Sequence, residues 1–201
     1  MKEASSKIPQ YRVSIWETVA VIFGAIALGG VGLTGLGVKF LNYAAQSQRA
    51  EAIASNIMGY TLPGGSQGLI GLNIAGAKVA LIASEGGEPD IQLLVARIPT
   101  DQESGRRRID RILDSIALGA DEQEFRIKTV RVETKTLCGV SVPVTIREGQ
   151  LKYPDSPSKF TVTYRASVFL SDSRYVVNLL TNGQNAPQKA ATVFDSLQCR
   201  Q

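Results

Sequence analysis

Residues 140–147 read VSVPVTIR, and the run alternates without a break. Val140, Val142, Val144 and Ile146 fall on one phase; Ser141, Pro143, Thr145 and Arg147 fall on the other. A period of two marks a half-buried strand, because successive side chains leave a pleated chain on opposite faces. Pro143 has no N–H to donate, so either the strand is an edge or that position turns away from the ladder. The same alternation recurs downstream in Phe160, Val162, Tyr164, Ala166 and Val168. Upstream, Phe125 and Ile127 alternate on one phase and Val130 and Val132 on the other, which predicts a bulge near Lys128-Thr129. Tyr175 to Leu180 forms a further strand, closed by Asn182-Gly183. Gly68 to Ile74 and Lys78 to Ala83 flank Ala75-Gly76 and read as a hairpin; Ile91 to Ile98 is a continuous apolar run and reads as a buried strand.

Two segments carry the helical period instead. Thr100 and Glu103 have capping-box spacing, and Ile109, Ile112, Leu113 and Ile116 follow at i, i+3, i+4 and i+7, with Gly119 as the stop. Pro187 suits the first turn of a last helix, whose apolar stripe is Ala190, Val193, Phe194 and Leu197. The order is hairpin, strand, helix, about four antiparallel strands, helix. That order predicts an α+β sandwich: an antiparallel sheet of about six or seven strands packed by two helices.

Ahead of this domain, Val19 to Val38 reads VAVIFGAIALGGVGLTGLGV and contains no charge. As a helix it would span about 30 Å, the thickness of a bilayer core. Trp16 and Tyr11 on one side, and Phe40 and Tyr43 on the other, suit the interface. The expected division is a cytoplasmic tail at 1–17, a transmembrane helix at 18–40, a helical stalk at 41–58 and an extracytoplasmic domain at 59–201. Lys2, Lys7 and Arg12 before the span, against Lys39 and Arg49 after it, favour the N-terminus inside. Within the span, Ala20 with Gly24 and Ala25 with Gly29 make small-xxx-small steps, which let two helix backbones approach closely. A bilayer is thus one expected partner. An integral membrane protein, or a second copy of this helix, is the other.

The chain has 201 residues, 44% of them hydrophobic, a net charge of +4 and no histidine. The commonest general base and metal ligand is therefore missing. Gly64-Gly65-Ser66-Gln67-Gly68 lacks the spacing of a phosphate loop and reads as a joint. No cofactor, metal or nucleic-acid signature stands out, and no serine has a histidine partner, so a non-enzyme is expected. Arg106, Arg107, Arg108 and Arg111 cluster among Asp101, Glu103, Asp110 and Asp114. They form a solvated helix face or a dock for anionic headgroups or an acidic partner. The only cysteines are Cys138 and Cys199. An exported domain with an even count pairs them often, and the alternative is two separate buried thiols.

The element order, with the closing phrase Thr192-Val193-Phe194-Asp195-Ser196-Leu197, resembles the PsbP-like fold over about Gly59 to Arg200. That family includes extrinsic lumenal proteins of oxygenic photosynthesis, and the resemblance implies binding and assembly, not catalysis. The apolar span departs from its soluble members, so no functional residue is carried over. The expectation is a membrane-anchored, non-catalytic accessory or assembly subunit of a membrane complex, photosynthetic if the resemblance holds. It would lie in a bacterial inner membrane or a thylakoid membrane, with its domain in the periplasm or lumen. The alternative is an extracytoplasmic ligand-binding or sensor module.

Overall fold

The alternating runs all become strands, and they join one sheet. The computed structural model describes residues 46–74, 76–86, 89–100, 125–152 and 157–200. All of these belong to the unit Ala44–Gln201; Met1–Tyr43 is a separate unit. The elements are α1 (Ser47–Ile57), β1 (Met58–Gly59), β2 (Ser66–Ile74), β3 (Ala77–Ser84), β4 (Ile91–Pro99), β5 (Phe125–Leu137), β6 (Val140–Leu151), β7 (Lys159–Leu170), β8 (Ser173–Asn182), α2 (Ala186–Asp195) and β9 (Gln198–Cys199). Seven strands form an antiparallel sheet in the order β2-β3-β4-β8-β7-β6-β5, and β1 pairs with β9 in a small second sheet.

The register explains two sequence oddities. The β5–β6 ladder shifts between Ile127 and Thr129, so the phase slip is a bulge. Pro143 sits opposite Thr134, while β6 meets β7 only from Thr145 onward. The proline therefore occupies a stretch where one flank of the strand carries no ladder, and its missing donor interrupts nothing there.

One face of the sheet carries the main core. Ala80 and Ile82, then Ile91, Leu93 and Val95, then Tyr175, Val177 and Leu179 line up across β3, β4 and β8, and Val162, Tyr164 and Ala166 continue it on β7. Both described helices lie on this face. α1 presents Ala50, Ala54 and Ile57, spaced i, i+4 and i+7, to β2 and β3. α2 presents Ala190, Val193 and Phe194 to β7 and β8. The approach of α1 is close because β2 offers glycines. A Cβ on Gly68 would lie 2.2 Å from the Ser47 carbonyl oxygen, and one on Gly71 would lie 2.7 Å from Ala50 Cα. The Gly68 N–H donates to Ser47 Oγ at 3.1 Å and to Glu51 Oε1 at 3.0 Å, both from α1. The other face holds a smaller buried cluster of Ala77, Val79, Leu94, Ala96, Ile98 and Val176.

The expected α+β sandwich behind one transmembrane helix is corrected. The described chain is mostly antiparallel sheet, with two helices of only 11 and 10 residues. At 1.5 Å rise per residue α1 spans about 16 Å, half a bilayer core. Among the described residues no helix is long and apolar enough to cross a membrane. Of the stalk expected at 41–58, the described part is helical and packs on the sheet, with Ala50, Ala54 and Ile57 fully buried. Alanine makes a weak hydropathic stripe, and here facing glycines turn it into a packing surface. The expected tail 1–17, the apolar segment 18–40 and the helix through Ile109 and Ile116 lie outside the described residues.

Candidate interaction surface

The β5–β6 hairpin is the longest feature of the sheet, and it stands at the sheet's edge. Its turn is two residues long, Cys138-Gly139, with φ of 56° and 79°. Positive φ at both positions matches the turn twist that two-residue hairpins require, and glycine adopts it freely. Cys138 is bridged to Cys199, 61 residues away, with their Cα atoms 5.1 Å apart. Cys199 lies opposite Met58 in the β1–β9 pair, directly after α1. Two hydrogen bonds hold the same corner: Arg200 N donates to the Ile57 carbonyl at 3.1 Å, and the Tyr175 hydroxyl donates to the Arg200 carbonyl at 3.0 Å. The bridge thus fixes the tip of an edge hairpin to the corner where the last residues described meet the C-terminal end of α1.

Between tip and bulge, the two faces of β5 differ. Toward the helix-bearing face it points Arg131, Glu133 and Lys135. Arg131 Nε lies 2.8 Å from Glu133 Oε1, Arg131 also bonds Glu148 on β6, and Lys135 lies 3.8 Å from Glu133. Lys135 sits 5.7 Å above the Tyr164 ring. The hydrogen bond from Arg131 holds the Glu133 carboxyl below its ordinary value, and the Glu133 and Glu148 carboxylates raise Arg131. Burial pushes Tyr164 up. Toward the other face β5 points Val130 and Val132, which are 58% and 65% exposed. Among the described residues no strand pairs with the outer edge of β5. An edge with open N–H and C=O groups is a template for another strand.

A second concavity is bordered by Pro63, Gly64, Ser84, Glu85, Asp90, Ile91 and Lys189. Three of its polar side chains are engaged in bonds within it. Lys189 Nζ lies 2.9 Å from Asp90 Oδ2, and Ser84 Oγ accepts from the backbone N–H groups of Asp90 and Ile91 at 3.1 and 3.2 Å. Among the described residues no group of three or more histidine, cysteine or acidic residues could hold a metal ion.

Of the residues singled out in the sequence, Cys138 and Cys199 come together. Ala20, Gly24, Ala25 and Gly29 lie outside the described residues, as do Arg106, Arg107, Arg108 and Arg111. Sequence reasoning missed the Arg131, Glu133, Lys135 and Glu148 ladder. Its signal was present: in TVRVETK, residues 129–135, charges of alternating sign occupy one phase and valines the other.

No family model and no curated protein matches the chain. Among solved structures, the chain is similar to LpqN, described as involved in cell envelope biogenesis of Mycobacterium tuberculosis, at 11% identity and a TM-score of 0.37. The match covers 76% of this chain and 96% of that one.

Proposed function

We propose that this chain is a membrane-associated accessory or assembly subunit that works outside the cytoplasm, binding a protein partner and doing no chemistry of its own. The observation that carries this reading is the edge hairpin pinned by Cys138–Cys199. Disulfides persist in oxidising compartments such as a periplasm, and a pinned hairpin presents its edge in one fixed orientation. The uncharged stretch Val19 to Val38 supports attachment to a membrane. In the same reading Ala20, Gly24, Ala25 and Gly29 contact an integral partner, and Arg106, Arg107, Arg108 and Arg111 contact anionic headgroups or acidic side chains. The resemblance to the PsbP-like fold points to assembly in the same way.

The test is the size of the native assembly. Membranes solubilised in mild detergent should yield the chain in a complex with a second protein. Val130→Ser together with Val132→Ser should release it without lowering its thermal midpoint. Migration of the native chain as a lone monomer would overturn the proposal. A ligand-binding or sensor module is the second reading, and the concavity between Pro63 and Lys189 favours it. A small-molecule thermal shift that Lys189→Gln abolishes would make that reading the better one.

A further inference from the structure

The outer edge of β5 is long, exposed and, among the described residues, unpaired. Strand addition to such an edge is a recurring mode of recognition: main-chain bonds supply attachment and alternate side chains supply choice of partner. The side chains of β5 limit what fits. A partner strand must offer opposite charges on one face and small apolar groups on the other. β5 itself has both.

We infer that the occupant of this edge is a second copy of the chain, its β5 antiparallel to the first about a two-fold axis through Val132. This inference rests on the hairpin surface of the proposed function and adds the identity of one strand it accepts. An antiparallel two-fold keeps the faces of the two sheets continuous, so each residue meets one of its own face. Centred on Val132, Arg131 meets Glu133 of the other copy, and Glu133 meets its Arg131. On the opposite face Val132 meets Val132, and Val130 meets Thr134. Opposite charges and β-branched pairs are the favourable cross-strand combinations.

Neighbouring registers fail on one count or another. Centring on Arg131 or on Glu133 sets like charges against each other. Centring on Thr134 matches Glu133 with Lys135 but sets Arg131 against the buried Leu137 position. Centring on Val130 carries Arg131 and Val132 onto Thr129 and the bulge at Lys128. The bulge also ends the pairing on its own side, because a bulge twists an edge away from further strands. Both copies use the same edge, so the contact closes as a dimer and does not propagate.

Position-specific cross-linking of the full chain in detergent tests this. A residue on the two-fold axis lies opposite itself, at a Cα separation of about 4.5–5.5 Å, within disulfide range. Val132→Cys should therefore form a covalent dimer under mild oxidation, at least tenfold faster than Thr134→Cys. Glu133→Arg added to Val132→Cys should slow it at least tenfold, by setting Arg against Arg. No dimer from Val132→Cys, or equal rates at positions 132 and 134, would overturn the inference. A complex with a second protein but no such cross-link would leave the proposed function standing and remove the second copy.

Discussion

At the residue scale, the fold depends on what two glycines do not carry. Gly71 faces the backbone of α1, and a methyl group there would meet Ala50 Cα at 2.7 Å and Ala50 N at 3.0 Å. A backbone cannot swing aside as a flexible side chain can, so the helix must lift or β2 must bend. Gly71→Ala is expected to cost about 1–3 kcal/mol, the usual range for overpacking. Urea unfolding would show it as a lower midpoint with unchanged slope. A midpoint equal to that of the parent would mean that α1 is not held as tightly as its distances imply. Nothing near Gly71 in the sequence announces this role. The clashing residue is 21 positions away, and glycine between apolar residues reads as a weak strand position. Gly68, read as the end of a flexible joint, turns out to be packed under the first turn of α1 for the same reason.

At the scale of elements, the strands and both described helices were legible, but the packing of α1 on the sheet was not. Strand alternation repeats every two residues whatever lies across the sheet, so β6 and β7 could be read from their own residues. α2 announces itself through Pro187 in its first turn and the stripe Ala190, Val193, Phe194, Leu197, all four buried. Its anchor is Phe194, 1% exposed, whose ring lies 5.7 Å from that of Tyr164 on β7 at a tilt of 54°. That geometry lies within the favourable range for aromatic pairs. Phe194→Ala should cost about 3–5 kcal/mol through lost burial and the cavity left behind. Thermal unfolding would record it, and a loss below about 1 kcal/mol would mean that the site collapses around the gap. That α1 packs on the sheet was hidden by a property of alanine. Ala50 and Ala54 bury little area each, so their stripe barely rises above its surroundings, and the apolar run before them made the helix read as its continuation. The charged ladder on β5 was missed for the opposite reason. Its residues are exposed, and an exposed pattern has no core to make it conspicuous.

At the scale of the whole molecule, the problem is a sheet edge and the corner it is tied to. The sheet places β5 farthest from α1, yet Cys138 at its hairpin tip is joined to Cys199 beside Met58, where α1 ends. The sequence supplied the pairing from cysteine count and compartment, but not the geometry. That the tip of the edge hairpin reaches the β1–β9 pair follows from the path of the strands. The bridge closes a loop over a sequence separation of 61. On the chain-entropy account such a cross-link destabilises the unfolded chain by about 4 kcal/mol, because fewer conformations remain to it. Reduction should therefore lower the unfolding free energy by up to that amount, and Cys138→Ser with Cys199→Ser should do the same. The loss should also have a location. Hydrogen exchange should rise first at the short β1–β9 pair, whose two residues on each strand have little else to hold them in register, and at the Cys138-Gly139 turn. The strands at the middle of the sheet, β4 and β8, should keep their protection, since their burial does not depend on the bridge. Uniform loosening of β4 and β8 along with the hairpin tip would show that the bridge stabilises the domain as a whole and does not serve to fix the orientation of its edge.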